Sequence, residues 1–340
     1  MSKIEWTDKT WNPITGCTKV SPGCRRCYAE RMATRLRGRH GYPADEPFRV
    51  TLHPERLDDP LHWRKPRMCF VCSMSDLFHK DVPDQFIDKV FAVMALAPQH
   101  TFQVLTKRPE RMHAYMTMAR TPLGRSHEVI IQANDRMLAG EGVWPGWPLP
   151  NVWLGTSVED QERADERIPI LLETPAAVRF ISAEPLLGPI DLRHLQPVEP
   201  PTEIDSLAGT HGVLRPHRGQ CEGLDWVIVG GESGPGARPM HPDWPLSLRR
   251  QCEASGNAYF MKQRGAWAAK SWGAAATGSR AWGTLEANGA WWPETTPWNG
   301  RRLNDSETCE EVMVRVGGKG SDPAEWPESL RVREFPVVMG

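Results

Sequence analysis

Short apolar runs alternate with longer amphipathic stretches along most of the chain, a pattern that predicts βαβ units built on a parallel sheet. The runs "RMCFVCS" (67–73), "TFQVLT" (101–106), "NVWLGTS" (151–157), "AVRFIS" (177–182), "DWVIVGG" (225–231) and "AYFMKQ" (258–263) have strand length. With one more strand entering around Trp11 to Thr15, seven are expected. Phe86, Ile87, Val90, Phe91, Val93 and Met94 make a wide helical face that Pro98 ends, and Pro109 is placed to open the next helix. Another helix is expected over 127–138, and Ser157 with Asp160 resembles a capping box at the start of a polar one. Tyr28, Met32 and Leu36 recur at helical spacing, which puts Cys27 at the start of a helix running to about Arg37.

Two stretches interrupt the pattern. Residues 193–223 are rich in Pro, His and Gly without periodicity and read as an inserted loop. From about Gly265 the alternation fails, so 265–340 reads as an irregular Trp/Pro-rich extension with a few short strands, packing on a body of residues 1–264. The expected fold class is α/β, a partial (β/α) TIM-like barrel, with a doubly wound open sheet as the competing topology.

Composition narrows this picture. The 340 residues are 40% hydrophobic and 24% charged, ordinary for a soluble globular protein. There is no apolar leader after Met1 and no run near the ~20 apolar residues a bilayer span needs, so no membrane is expected and the location should be cytoplasmic, that of a host if phage-encoded. In that reducing setting eight cysteines are ligands or buried thiols rather than disulfides. The net charge of −1 gives no global case for a polyanionic partner. Locally, Thr18 to Arg67 holds twelve Lys/Arg against six Asp/Glu, a balance of +6 that suits a solvated face or a docking surface. Fifteen tryptophans, concentrated in turn-rich stretches, either pack loops or stack on a flat substrate.

The cysteines carry the chemistry. Cys17, Cys24 and Cys27 lie on one Gly/Pro-marked loop, and three thiols without a fourth fit an iron–sulfur cluster with one iron unclaimed by protein. Cys27 at a helix N-terminus would have its thiolate favoured by the helix dipole. A zinc site would instead combine Cys24 and Cys27 with Cys69 and Cys72, a second C-x2-C pair. Cys69 and Cys72 stand an odd number apart on an apolar strand and are read as buried thiols, like Cys221, Cys252 and Cys309. Sites in parallel α/β folds form at strand carboxyl ends, where Glu159, Glu184 and Glu232 would line a carboxylate-rich pocket. "GGESGPG" lacks the lysine of a phosphate-binding loop and reads as a tight turn projecting Glu232.

The stretches "IEWTDKTWNPITGCTKVSPGCRRCYAERMA", "SMSDLF", "LTKRP", "WLGTSVE", "ISAEPLLGPI" and "WVIVGGESGPGARP" resemble the phage Gp37/Gp68 family, a three-Cys-motif domain of unknown function, over roughly residues 3–265. That family in turn resembles divergent radical S-adenosylmethionine (SAM) enzymes. The spacing here is C-x6-C-x2-C, longer than the usual C-x3-C-x2-C, and "GGE" falls near the sixth strand, so its usual role is not carried over. The resemblance implies a barrel of the radical SAM type in which Cys17, Cys24 and Cys27 bind a [4Fe-4S] cluster whose fourth iron takes SAM. An electron from a reductant such as flavodoxin or ferredoxin would cleave SAM to a 5′-deoxyadenosyl radical. That radical would abstract hydrogen from a substrate not identified by the motifs, a nucleotide or nucleic acid being the candidate. Ser73, Ser75 and Asp76 would meet the SAM amino group. Thr156, Ser157 and Glu159 would contact SAM, the last two at its ribose, and Ser182, Glu184 and Glu232 would serve SAM or substrate. No catalytic side chain is assigned. Two other readings stand beside this one: a zinc-binding, non-catalytic nucleic-acid-binding protein, and an enzyme using its carboxylates without a cluster.

Overall fold

A computed structural model describes residues 4–118, 145–197, 202–213, 218–220, 222–269, 282–286, 291–294, 310–315 and 322–337. The helix expected over 127–138, and Cys221 and Cys309, lie outside these residues. The N-terminal elements are β1 (Lys9–Trp11), β2 (Ile14–Thr15), α1 (Tyr28–Arg35), β3 (Thr51–Leu52) and β4 (Met68–Val71). There follow α2 (Asp84–Leu96), β5 (Thr101–Thr106), α3 (Pro109–Met118), β6 (Val152–Ser157), α4 (Gln161–Glu173) and β7 (Val178–Ala183). After three short strands come β11 (Trp226–Gly230), α5 (Asp243–Ser255) and β12 (Ala258–Gln263).

The main sheet has seven strands in the order β1-β4-β5-β6-β7-β11-β12. Each strand follows its neighbour in chain order, with helices α2, α3, α4 and α5 between successive strands. A doubly wound sheet reverses direction at a switch point, and this order never does. The fold is therefore mixed α/β with the singly wound strand order of a partial β/α barrel.

The chain divides into two compact units, Met1–Ser157 with Pro169–Phe180, and Val158–Ile168 with Ile181–Gly340. In the first, β1/β4, β4/β5 and β5/β6 pair in parallel, so that Trp11, Val71, Val104 and Leu154 form one register row. All four are buried, as expected of a parallel sheet covered on both faces. Helix α2 buries Phe86, Ile87, Val90, Phe91, Val93 and Met94, the face read from the sequence. Its Asp88 is buried too, with the Tyr115 hydroxyl of α3 donating to it at 2.9 Å.

In the second unit β11 pairs in parallel with β12, and α5 buries Trp244, Leu248 and Cys252 before ending at Gly256 in the left-handed region (φ 77°). The far end of the chain covers β12: the Met261 and Glu334 amides bond to Val332 and Tyr259 carbonyls, and the Trp226 indole donates to the Glu334 carbonyl at 2.8 Å. An otherwise open sheet edge is thereby paired.

Three expectations change. The 193–223 stretch contains an antiparallel sheet of β8 (Thr202–Asp205), β9 (Thr210–Val213) and β10 (Arg218–Gln220) where a loop was expected. Asp205 builds its first turn, accepting from the Leu207 and Ala208 amides at 3.2 and 3.0 Å. Beyond 265, β13 (Trp267–Ala269), β14 (Trp282–Glu286), β15 (Trp291–Glu294) and β16 (Glu310–Arg315) form a second antiparallel sheet, more regular than expected. The cap of α4 is Asp160, which accepts from the Arg163 amide at 3.0 Å, while Ser157 is the last residue of β6. Of the turn-rich stretches, Trp153 is buried and Trp147 half-buried, while the side chains of 271–300 lie outside the described residues; elsewhere Trp6, Trp11, Trp226 and Trp326 are buried. No described helix is long and apolar enough to cross a membrane.

Cys69, Cys72 and Cys252 are buried, unpaired thiols. Burial pushes Cys69 strongly upward, and Cys72 and Cys252 each to about 12 from 9.0. A thiol raised in the folded state contributes fully below the unfolded value and loses that contribution as pH climbs toward the folded one. Stability is thus expected to hold up to about pH 9 and then fall by roughly 1.4 kcal/mol per pH unit for each buried thiol. Urea denaturation at pH 8.5 and 10.5 measures this; equal midpoints would contradict it.

Candidate functional site

The loop from β2 to α1 carries Cys17, Cys24 and Cys27, all half-buried and unpaired. Its entry is a backbone constraint. Gly16 has φ 85°, its amide bonds to the Met74 carbonyl at 3.0 Å, and the Cys17 amide bonds to Phe48 at 3.1 Å. A Cβ at Gly16 would stand 2.1 Å from the Arg49 carbonyl oxygen, so only glycine fits. Cys24 ends a short 3-10 turn, Pro22–Cys24, and Cys27 is the N-cap of α1. The Ala29 and Glu30 amides lie toward the Cys27 sulfur and favour its thiolate, without forming a capping hydrogen bond; burial outweighs them and the thiol is raised. Cys24 lies near enough to both other thiols to raise each electrostatically.

Burial and then the Asp76 charge push Cys17 up to about 11, while Arg108 pulls in the other direction. Arg108 Nη1 donates to the Cys17 sulfur at 3.5 Å and to Asp76 Oδ2 at 2.8 Å, and Nη2 donates to the Thr18 carbonyl and hydroxyl at 3.0 and 3.1 Å. Buried His79 completes the clamp. Its Nδ1 accepts from the Asp81 amide at 3.2 Å, which leaves Nε2–H to donate to the Thr18 hydroxyl at 2.8 Å. Burial lowers the His79 pKa and keeps it neutral. A cleft of about 560 Å³ opens beside this loop, lined in part by Cys17, Lys19, Glu30, Thr34, Arg37 and Phe48.

Asp76 is buried and accepts four hydrogen bonds. Oδ1 takes the Thr106 hydroxyl at 2.7 Å and the Phe78 amide at 3.0 Å; Oδ2 takes Arg108 at 2.8 Å and the Lys107 amide at 3.1 Å. All four acceptor positions of the carboxylate are filled. Asp76 thus aims Arg108 and braces the cysteine loop instead of offering a lone pair to a ligand. Ser73 donates to Asn12 Oδ1 at 3.2 Å and Ser75 to the Ile14 carbonyl at 2.8 Å, stitching the loop after β4 to the strands that lead into the cysteines. Thr156 is buried and donates to the Thr106 carbonyl at 3.1 Å; Ser157 is buried beside it in sequence.

The remaining sequence candidates belong to the second unit, and each carboxylate there has a cation. Glu159 pairs with Arg167 at 3.3 Å, both buried. Glu184 accepts from Lys262 at 2.6 and 2.7 Å and from Gln263 at 2.9 Å. Glu232 takes the Arg238 amide, Nε and Nη2 at 2.8, 3.0 and 2.8 Å. Ser182 is buried, its carbonyl accepting from the Val158 amide at 3.0 Å. Carboxylates matched to cations in this way lack the split environments that set up general acid and base roles.

The residues missed by sequence reasoning are the cations. Arg108, Arg238 and Lys262 were visible within strand-end motifs and Arg167 within α4, yet their partners lie at no characteristic spacing. Arg108 meets Cys17 across 91 positions and Asp76 across 32.

Among the described residues, no group of three His, Cys, Asp or Glu side chains converges closely enough for a single metal ion. Ligands of an iron–sulfur cluster each bind a different iron and stand farther apart. The loop thus presents three unpaired thiols, with Cys24 near enough to raise both others and Arg108 at the sulfur of Cys17.

A family model described as protein of unknown function (DUF5131) matches residues 1–316, and the chain belongs to that family. No curated protein and no solved structure matches it.

Proposed function

We propose that this member of the family is a cytoplasmic radical SAM-type enzyme, related to the phage Gp37/Gp68 proteins, with Cys17, Cys24 and Cys27 holding a [4Fe-4S] cluster. The observation that carries the reading is the three-thiol loop: Cys17, Cys24 and Cys27 are unpaired and half-buried, on a backbone that Gly16 and the Arg108–Asp76 pair hold in place. The singly wound strand order supports it, because the loop then follows the first strand of a partial barrel. Cys17, Cys24 and Cys27 would hold the cluster, which when bound would pass one electron from an external reductant for the reductive cleavage of SAM.

The chain's own contributions are positioning and charge. Arg108 offers a positive charge and a donated hydrogen bond to the Cys17 sulfur, which favours the thiolate that a metal requires. Ser73 and Ser75 each spend their proton on an internal acceptor and retain lone pairs that can accept from the amino group of SAM. Asp76 is assigned to holding Arg108, in place of the amino-group contact expected of it from the sequence.

The test is anaerobic reconstitution with iron and sulfide, followed by EPR of the reduced protein with and without SAM. The expected result is a [4Fe-4S]⁺ signal that changes on adding SAM and is absent from Cys17→Ala. Zinc in place of iron, or a cluster signal indifferent to SAM, would overturn the reading.

A further inference from the structure

Helix α1 turns two different faces to its surroundings. Ala29 and Ala33 are buried with Tyr42 and Met74, and Met32 and Leu36 pack against that cluster. An adjoining flank carries Tyr28, Arg31 and Arg35, three residues that share a stripe at helical spacing. Arg25 precedes the helix and Arg39 follows it in the chain, so two more arginines flank α1. Arg25, Arg35 and Arg39 are exposed, and none makes a side-chain hydrogen bond or ion pair among the described residues. Tyr28 is 41% exposed, unusual for an aromatic ring in this chain, whose other described large rings are mostly buried.

Other arginines of this region behave differently. Arg49 pairs with Asp45 at 2.8 Å, and Arg37 donates to the Ala44 carbonyl at 3.1 Å. Arg25, Arg35 and Arg39 thus stand apart from the arginines spent on the fold. Two features say what the exposed ones suit. The basic segment from Thr18 to Arg67 uses ten arginines and two lysines, and a guanidinium matches phosphate in two-pronged fashion and also stacks on bases. A tyrosine ring set among them adds the sequence-tolerant stacking platform that single strands use. Arg25 also lies between two of the cysteines, Cys24 and Cys27, so the stripe begins within the candidate centre's own loop.

We infer that the stripe Arg25, Tyr28, Arg31, Arg35 and Arg39 is a docking face for single-stranded nucleic acid, which brings a polynucleotide substrate up to the cysteine loop. The strand's phosphates lie along the arginines and one base stacks on Tyr28. This rests on the radical SAM reading only for what is done to the strand; the binding itself needs no cluster.

The experiment is fluorescence anisotropy of labelled oligo(dT) and oligo(U) with the full chain, before and after iron–sulfide reconstitution, across a salt series. Log affinity is expected to fall linearly with log salt. Arg25→Gln/Arg35→Gln/Arg39→Gln is expected to flatten the slope by about 2, at roughly 0.7 per lost phosphate contact, and to weaken binding about a hundredfold at 0.1 M salt. The corresponding triple Lys variant is expected to keep most of the slope, and Tyr28→Ala to weaken binding about tenfold with the slope unchanged. Near-UV circular dichroism checks that the variants keep the fold. Wild-type affinity in the triple Gln variant would overturn the proposal. So would the absence of oligonucleotide binding alongside salt-sensitive capture of flavodoxin, which would make the stripe a reductant's face. Binding that survives in protein unable to load iron would uphold this inference while the radical reading failed, so the two are separable.

Discussion

Asp76→Ala is expected to destabilise the protein by about 3–5 kcal/mol, the range for leaving one partner of a buried ion pair uncompensated. The carboxylate is 5% exposed and satisfies the Thr106 hydroxyl, the Phe78 and Lys107 amides and the Arg108 guanidinium together. Its removal takes an acceptor from four donors, two of them the Phe78 and Lys107 backbone amides. Asp76→Asn does not rescue the site, because an amide group presents hydrogens to at least one side where the protein already supplies only donors. The functional consequence follows from the same geometry. With Asp76 gone, Arg108 loses the contact that aims it at Cys17 and Thr18, and iron loading after reconstitution should drop together with stability. Urea denaturation reads the first effect and iron content per chain the second; a variant with wild-type urea midpoint would show that the network is not under load.

Gly16→Ala approaches the same loop from its backbone side. An alanine at φ 85° carries a conformational penalty of about 1–2 kcal/mol by itself. Its Cβ would also meet the Arg49 and Phe48 carbonyl oxygens at 2.1 and 2.6 Å, both main-chain atoms that cannot swing aside as a side chain can. Gly256→Ala is the control, since Gly256 has φ 77° and nothing within 4 Å of the added carbon. Gly256→Ala should therefore cost about 1–2 kcal/mol, and Gly16→Ala roughly 2 kcal/mol more, with the difference measuring the steric term. Only the Gly16 variant should also lose iron, because Cys17 is the next residue and its amide is bonded to Phe48. Equal destabilisation by the two substitutions would mean that the loop gives way freely.

Much of the fold was legible in the chain because its strands are continuous apolar runs and its helices carry wide apolar faces. Strands β5, β6, β7, β11 and β12 and helix α2 lie where periodicity placed them, with ends shifted by a residue or so. What failed was local and short. Thr202–Asp205 and Thr210–Val213 are four-residue strands among His, Gly and Pro, too brief for an alternation to register. The cap of α4 went to Asp160 because the strand kept Ser157, a choice made by sheet pairing rather than by the capping preference of either residue.

The candidate site divides in the same way. The three cysteines, their common loop and the absence of a fourth thiol beside them are properties of adjacent residues, and the sequence by itself determined them. So did the local surplus of arginine and the expectation of a helix after Cys27. Strand order, which separates a singly wound partial barrel from a doubly wound sheet, was decided only by the tertiary structure, because each strand pairs with a neighbour tens of residues away and any order satisfies the same apolar pattern. The roles of the acidic residues were decided there too. A carboxylate has the same charge in any sequence, but whether it is a ligand, a base or a brace depends on which donors surround it. Those donors, such as Arg108 for Asp76 and Lys262 for Glu184, arrive from distant strand ends that only folding brings together.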